Sequence, residues 1–203
     1  MTSSAHASEM RLYDRERRRL YLNAAERERF VAVARRSPAE VRTFCLTLLY
    51  TGCRISEALS LSPSSVQVED RVVAIRSLKK RRKVEIREVP IPRGLAEDLE
   101  RSFRIAADPG SGEPLWRHAG ARLTRGLGYR WVKAAMREAG VEGVHASPKG
   151  LRHGYGVHAT RSGVQLHMLQ RWMGHADMAT TAIYATAVGP EELEIADRMW
   201  GEG

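Results

Sequence analysis

Residues 51–61 read TGCRISEALSL and hold the first of four motifs whose order along the chain decides the fold. Gly52 predicts the end of a helix, so Arg54 leaves from a turn rather than from a solvated helix face. Glu57 follows three residues later and can face Arg54 across one helical turn. A surface Arg–Glu pair is the commoner meaning of this pattern, so the stretch by itself indicates a functional site only weakly.

Helical patterning surrounds this motif. Asn23 predicts an N-cap for the segment AAERERFVAVARRS, and Ser37 with Pro38 predicts the start of a second helix that Gly52 ends. A short helix, RISEALSLS, follows at once. Beyond residue 92, helical patterns return at residues 93–107, 125–139, 149–161, 165–173, 177–186 and 190–200.

Residues 66–92 differ in character from the rest of the chain. The segments VQVEDRVVAIRSL and KVEIREVPIP are rich in β-branched residues and partly alternate, and Pro90 and Pro92 end the pattern. They predict a small antiparallel sheet. The fold class that follows is mainly α with a small antiparallel β-sheet (α+β), in one domain.

The composition favours a polyanionic partner. The 203 residues carry 33 Lys and Arg against 24 Asp and Glu, a formal net charge of +9. This excess suits nucleic acid or an acidic membrane surface, although a generally basic soluble protein gives the same number. Two cysteines without a CxxC pair, no secretory start and no apolar run of about 18 residues predict a reduced, cytosolic chain that does not cross a membrane. The scattered histidines predict no metal site.

The start of the chain predicts an arm rather than a domain. Residues 1–9 are small and polar, and the arginine-rich stretch RLYDRERRRLYL follows at residues 11–22. We therefore expect residues 1–20 to form a flexible, basic arm and residues 21–203 to form the single domain. The arm is also a candidate for contacts with DNA.

The second motif is a run of five basic residues between two predicted strands, namely Lys79, Lys80, Arg81, Arg82 and Lys83. Such a run is usually a solvated loop. In a chain with this net charge, a basic β-turn also suits a DNA backbone or minor groove. If one of its lysines is catalytic, Lys79 is the best choice, because it is the first of the run and the nearest to the sheet.

The third motif, SPKGLRHGYGVHA, spans residues 147–159. Pro148 opens a helix that places Lys149, Arg152 and His153 on one face of its first turn. Helix N-termini attract anions, so three cation-capable side chains there predict a phosphate pocket, although basic clusters on helices also arise by chance.

The fourth motif, HADMATTAIYA, spans residues 175–185. Gly174 breaks the preceding helix and exposes His175, and Tyr184 lies near the end of the next short helix. Taken alone, a histidine or tyrosine in such a stretch is more often structural than catalytic.

In their order along the chain, TGCRISE, SLKKRRK, KGLRH and MGHADMATTAIY resemble the catalytic domain of the tyrosine recombinases, the phage integrase family. That family has an Arg in a TGxRxxE context, a Lys in a β-hairpin, a (His/Lys)-x-x-Arg-His segment, and a GH pair followed by a Tyr. The resemblance covers nearly all of the chain from residue 40 to residue 200. It implies a DNA breaking-rejoining fold.

The resemblance also implies roles for the matching residues. Arg54 and Arg152 would clamp the phosphate, Tyr184 would be the nucleophile, and Glu57 and His153 would support them. Lys149 replaces the more usual histidine of the family. The complete catalytic set, in chain order, is Arg54, Lys79 (or Lys80 in its place), Lys149, Arg152, His175 and Tyr184.

The implied reaction is the cutting and rejoining of double-stranded DNA through a 3′-phosphotyrosyl intermediate. It requires no cofactor, since the bond energy is stored in the intermediate, and no metal, since guanidinium groups serve where other nucleases use Mg²⁺. The family usually has a separate N-terminal core-binding domain, which we do not expect in this chain. The resemblance further implies a homo-tetramer on synapsed DNA, with the C-terminal helix docked in cis or on a neighbour. A monomer free in solution and a cytoplasmic, DNA-associated location fit the same reading.

Three functions are compatible with these residues. The first is a site-specific recombinase, whether integrase, resolvase or invertase. The second is a nicking-closing enzyme similar to type IB topoisomerases. The third is a DNA-binding regulator that keeps the fold without the chemistry. A binding module has no need of a nucleophile, so the complete residue set favours an enzyme.

Overall fold

The computed structural model describes residues 11–77, 85–185 and 200–201, and helices dominate this part of the chain. Helix α1 (Ala24–Arg36) begins as predicted at Asn23, whose side chain accepts a hydrogen bond from the Glu26 N–H while the Glu26 carboxylate accepts one from the Asn23 N–H. Helix α2 (Ala39–Thr51) ends as predicted at Gly52, which has a φ of 59°.

The start of α2 differs from the prediction. Its N-cap is Pro38, with no side-chain hydrogen bond, and Ser37 instead closes α1. The Ser37 N–H donates to the Ala34 carbonyl and its hydroxyl donates to the Val33 carbonyl. The two helices are so close in sequence that one residue cannot serve both ends.

The other described helices confirm the remaining predictions, but the helix predicted at residues 177–186 covers only Ala179–Ala182, so Tyr184 lies in the turn that follows it rather than within it. The predicted helix at residues 93–107 stops early because Arg104 adopts a φ of 51°, and a short 3₁₀ turn, Ile105–Ala107, follows it. Most of the predicted helix at residues 190–200 lies outside the described residues. The further helices of the described part are α3 (Ile55–Ala58), α4 (Arg93–Phe103), α5 (Arg125–Glu138), α6 (Pro148–Arg161), α7 (Leu166–Met173) and α8 (Ala179–Ala182).

The predicted antiparallel sheet is present, with strand order β1-β2-β3. Its strands are β1 (Val66–Gln67), β2 (Val72–Arg76) and β3 (Ile86–Pro90). Val73 pairs with Val89 and Ile75 pairs with Arg87, and these four side chains are buried on the inward face. The basic run at residues 79–83 connects β2 to β3 and lies outside the described residues.

A second, unpredicted hairpin joins β4 (Arg117–His118) to β5 (Ala121–Arg122). Its two-residue turn has positive φ at both positions, 49° at Ala119 and 78° at Gly120. That backbone matches the twist of a hairpin.

Two hydrophobic clusters hold the fold together. The main core is built around α2, where Phe44 meets Trp116 edge to face at 5.1 Å and the Trp116 indole N–H donates to the Thr43 hydroxyl at 3.0 Å. The smaller one, which we call the tyrosine cluster, contains Leu12, Tyr21, Val157, Ala159, Leu169, Met173 and Tyr184. It packs α6 and α7 against α8 and the N-terminal segment.

The N-terminal segment departs from the expected flexible arm over the part that is described. Tyr13 and Arg19 form an antiparallel bridge, and the Leu20 N–H donates to the Leu12 carbonyl at 2.8 Å. Leu12 is only 5% exposed. Residues 11–22, the N-terminal hairpin, therefore belong to the folded body and contribute to the tyrosine cluster.

Candidate active site

Arg54 and Glu57 form the pair that the first motif predicts. Arg54 is the N-cap of α3, where its backbone N–H donates to Glu57 Oε2 at 2.9 Å and its Nη1 donates to Glu57 Oε1 at 2.8 Å. Glu57 is buried, and Arg54 is half-buried. The pair is thus a fixed part of the site rather than a surface salt bridge.

Arg87 is a site residue that the sequence reasoning missed. Its Nη2 donates to Glu57 Oε2 at 2.6 Å and its Nε donates to the Trp172 carbonyl at 2.8 Å, although it is only 5% exposed. Burial by itself raises the pKa of Glu57, but the bonds from Arg87 and Arg54 outweigh it and hold the pKa below its usual value. The signal available in the sequence was an arginine at an inward position of a strand.

Arg152 projects from α6 into the centre of the site. Its Nη1 donates to the Gly52 carbonyl at 2.5 Å and its Nη2 donates to the Met173 carbonyl at 2.7 Å. These bonds join the ends of α2 and α7 and fix the plane of the guanidinium. Burial, followed by the charge of Arg54, lowers the pKa of Arg152 to about 10, so the group stays charged at neutral pH.

Tyr184 lies in a closed pocket against α6. Its hydroxyl is 3.2 Å from His153 Nδ1, and its side chain is 1% exposed. Gly156 makes this pocket possible, because a Cβ at that position would lie 2.5 Å from the tyrosine ring. Burial raises the pKa of Tyr184 to about 12 against the opposing charges of Arg152 and Arg54. The phenol is therefore protonated at neutral pH.

The two histidines on either side of the phenol are both neutral imidazoles. Burial, with the charges of Lys149 and Arg152, lowers the pKa of His153 to about 4. Burial, with the nearby arginines, lowers the pKa of His175 to about 3. The His175 ring stacks on the Tyr184 ring at 6.3 Å between centroids and 17° between planes.

Lys149 is placed at the rim rather than in the centre. It is exposed in the first turn of α6, where the Ser147 side chain caps the helix. An open cavity of about 440 Å³ lies between α3, α5 and α6. The residues that line it include Arg54, Arg125, Tyr129, Lys149, Arg152 and His153. The cavity thus presents several cationic groups to an anionic ligand.

The structure brings most of the predicted residues into one region. Arg54, Arg152, His153, His175 and Tyr184 meet around the ends of α2 and α7, with Lys149 at the edge. Lys79, Lys80, Arg81, Arg82 and Lys83 lie outside the described residues. Among the described residues, no group of three or more His, Cys, Asp or Glu is placed to hold a metal ion, and no helix is long and apolar enough to cross a membrane.

Comparison with known proteins identifies the class. The profile of the Phage integrase family matches residues 20–188, so the chain belongs to the phage integrase family. Among its relatives are tyrosine recombinase XerC of Pseudomonas aeruginosa, 34% identical over 179 residues, and tyrosine recombinase XerA of Thermococcus kodakarensis, 26% identical over 190 residues. The alignments cover 86% and 89% of this chain, and 54% and 65% of the two relatives. The chain thus spans about half the length of the first of these relatives.

Solved structures confirm the fold class. The XerA recombinase superposes with a TM-score of 0.73 at 24% identity, over 89% of this chain and 64% of that one. XerH site-specific recombinase, bound to its difH substrate in a pre-cleavage complex, superposes with a TM-score of 0.71 at 22% identity, over 93% and 59% of the two chains. The fold is that of a tyrosine recombinase catalytic domain.

Proposed function

We propose that this protein is a tyrosine-type site-specific DNA recombinase that cuts and rejoins double-stranded DNA through a 3′-phosphotyrosyl intermediate. The observation that carries the proposal is the hydrogen bond between the Tyr184 hydroxyl and His153, formed beside the buried guanidinium of Arg152. This contact supports a site in which Tyr184 is the nucleophile, His153 the base and Arg152 a fixed cation, in a chain of the phage integrase family.

His153 is the base for the attack. Tyr184 Oη forms a bond to phosphorus, the bond from phosphorus to the 5′ oxygen breaks, and His153 Nδ1 accepts the phenol proton. A phenol with a pKa of about 12 needs such an acceptor at neutral pH. A histidine with a pKa of about 4 is unprotonated there but is a weak base, so it takes the proton as the bond to phosphorus forms and makes the phenol oxygen more acidic. In the second half of the reaction, a 5′-hydroxyl of another strand attacks the phosphotyrosine, and the phenol recovers its proton.

Arg54 and Arg152 stabilise the transition state. Negative charge increases on the non-bridging oxygens, and guanidinium groups stabilise it because they are planar hydrogen-bond donors that stay charged. Arg152 is fixed by two backbone carbonyls and Arg54 by Glu57, so little reorganisation is needed. Loss of one such preorganised donor typically costs about 10²–10³-fold in rate.

The leaving 5′ oxygen requires a proton donor. We assign this role to Lys79 or Lys80 in the connection between β2 and β3. The positive charges of Arg81, Arg82 and Lys83 would hold the same connection against the DNA backbone. Lys149 adds a further cation at the rim of the cavity.

Four copies of the chain on two synapsed DNA duplexes fit this reaction best, with a monomer free in solution. Each strand exchange joins ends from two duplexes, and cyclic assemblies of one chain provide matched sites. We expect residues 21–203, together with the N-terminal hairpin that packs on them, to act as the catalytic domain. We expect it to act in the cytoplasm, where a reduced compartment suits its two free cysteines.

A nicked suicide substrate tests the proposal. Cleavage of a duplex nicked close to the target bond releases a short fragment, so the covalent protein–DNA adduct accumulates and is resolved on a denaturing gel. The substrates are duplexes that tile the genomic DNA on both sides of the coding region. We expect an adduct from the wild type and from Tyr50→Phe, a matched control whose half-buried ring lies under Arg27, and none from Tyr184→Phe.

Two results would contradict the proposal. An adduct that persists in Tyr184→Phe would show that another residue is the nucleophile. If the protein binds DNA but forms no adduct with any of the duplexes, it is a DNA-binding regulator. Relaxation of a supercoiled plasmid without a specific site would instead favour the topoisomerase-like alternative.

A further inference from the structure

Thr181 makes a buried hydrogen bond to His175 that the mechanism above does not use. The Thr181 hydroxyl lies 2.9 Å from His175 Nδ1, and both side chains are buried. His175 Nε2, on the other side of the ring, is buried without a hydrogen-bond partner among the described residues. One ring nitrogen is therefore held by the protein, and the other has no partner among the described residues.

The placement of protons decides what the open nitrogen can do. A neutral imidazole has one N–H donor and one acceptor nitrogen, and the hydrogen bond at one nitrogen selects the tautomer. If His175 carried its proton on Nδ1, it would donate to the Thr181 oxygen. The threonine proton would then need another acceptor, and we find none for it among the described residues.

The opposite arrangement leaves fewer groups unsatisfied. When Thr181 donates to Nδ1, both of those atoms are paired, and only the Nε2–H remains open. A buried donor or acceptor without a partner typically costs about 1–3 kcal/mol, so the arrangement with fewer unpaired groups is favoured. The remaining Nε2–H is the group that a phosphate oxygen would accept from.

We infer that Thr181 is a positioning residue that fixes His175 as the Nε2–H tautomer, the form in which His175 can make the donor contact to a non-bridging phosphate oxygen that the family resemblance implies. The inference rests on the proposed function for the identity of the acceptor. Thr181 belongs to α8, three residues before Tyr184. Tyr184 lies in the turn that directly follows this helix, so the segment from Thr181 to Tyr184 would set the donor on one side of the phosphate and supply the proposed nucleophile.

Imidazole NMR tests the tautomer without any DNA. Two-bond ¹H–¹⁵N correlation spectra of the wild type, with His175→Gln for assignment, report which ring nitrogen carries the proton. We expect the Nε2–H pattern, with the Nδ1 resonance shifted by the hydrogen bond that it accepts. In Thr181→Val, which keeps the side-chain shape, that shift is lost, and in Thr181→Ser it is retained. A wild-type ring protonated on Nδ1, or a Thr181→Val spectrum identical to the wild type, would overturn the inference.

The suicide-substrate assay tests the consequence. Loss of a partner that orients a functional histidine typically costs about 10–100-fold, and we expect a reduction of this size in the rate of adduct formation for Thr181→Val. Thr181→Ser should restore most of the rate, and Thr180→Val, its half-buried neighbour, should leave it unchanged. Equal losses in the Val and Ser variants would reduce Thr181 to a packing residue.

The two experiments separate the inference from the proposed function. If the wild type forms no adduct but His175 is the Nε2–H tautomer held by Thr181, the proposed function fails and the assignment of the tautomer stands. If the wild type forms an adduct and His175 is protonated on Nδ1, the recombinase chemistry stands and the role of Thr181 fails.

Discussion

Replacement of Arg87 by methionine is the sharpest test of how the site is supported. Arg87→Met keeps an unbranched side chain of comparable length but removes the 2.6 Å bond to Glu57 and the 2.8 Å bond to the Trp172 carbonyl. Glu57 would then remain as a buried carboxylate with Arg54 as its partner. An ion pair broken from one side in this way leaves a charge in a medium that solvates it poorly.

The expected loss of stability follows from that burial. Breaking a buried pair typically costs about 3–5 kcal/mol, and the retained bonds from Arg54 favour the lower end, about 3 kcal/mol. For a chain of this size, 1 kcal/mol corresponds to a change of about 2–4 °C in Tm. We therefore expect Tm to fall by about 6–12 °C at neutral pH.

The pH dependence gives a second, independent readout. Because the folded pKa of Glu57 is lowered, its ionised form stabilises the fold above the unfolded pKa, and this contribution is lost as the pH falls through the folded pKa. Arg87→Met removes a cause of the lowering, so Glu57 can take up a proton at a higher pH. The difference in stability between variant and wild type should therefore be largest at neutral pH and should shrink on acidification.

Thermal and urea unfolding, followed by circular dichroism, measure this effect. Arg76→Met is the matched control, because Arg76 lies on the neighbouring strand but is exposed, and surface changes usually stay within about 0.5 kcal/mol. Adding Glu57→Gln to Arg87→Met should recover part of the loss by removing the buried charge that only Arg54 still balances. A loss below about 1 kcal/mol in Arg87→Met, or a difference that grows on acidification, would refute the reasoning.

Three further outcomes are expected. Gly156→Ala puts a methyl group 2.5 Å from the Tyr184 ring, so the ring should leave its pocket and adduct formation should fall. Overpacking of about 1–3 kcal/mol should also lower Tm, whereas unchanged adduct formation would contradict the role of this pocket. Leu12→Ala should cost about 2–5 kcal/mol in urea unfolding because the side chain is buried, whereas a loose arm would show almost no change. The single-turnover rate of adduct formation should be flat between about pH 6 and 9 and should fall on acidification through the His153 pKa of about 4. A rate that rises steadily from about pH 6 to about pH 9 would mean that the base is another group.

Local signals in the sequence predicted most of the helices and the first sheet. Asn23 and Gly52 correctly predicted a helix start and a helix end, because caps act within one turn and need no distant partner. Ser37 misled because a residue between two adjacent helices satisfies the capping pattern of either one. The hairpin at residues 117–122 was missed because an Ala–Gly turn lacks the Asn–Gly or Asp–Gly signal and the strands carry no β-branched residue.

The site was predictable as a set of residues, but its internal contacts were not. The order of four motifs along the chain predicted Arg54, Arg152, His175 and Tyr184 as members of one site. The role of Arg87 depends on a carboxylate 30 residues away and on a carbonyl 85 residues away, and such contacts leave no periodic trace in the sequence. Contacts between residues so far apart in the sequence depend on how the helices and strands pack, and local sequence patterns do not predict that packing.

The division of the apolar interior into two clusters has a consequence for how Tyr184, the proposed nucleophile, would be released. Within the part of the chain that the structure describes, the tyrosine cluster is much smaller than the main core, and residues of the N-terminal hairpin form one side of it. Partial opening of a small cooperative unit costs less free energy than global unfolding, so we expect α8 and the turn that carries Tyr184 to exchange their amide hydrogens faster than α2 does. If the proposed function holds, the free energy needed to expose Tyr184 to DNA would then be that of opening one local unit rather than that of unfolding the whole domain.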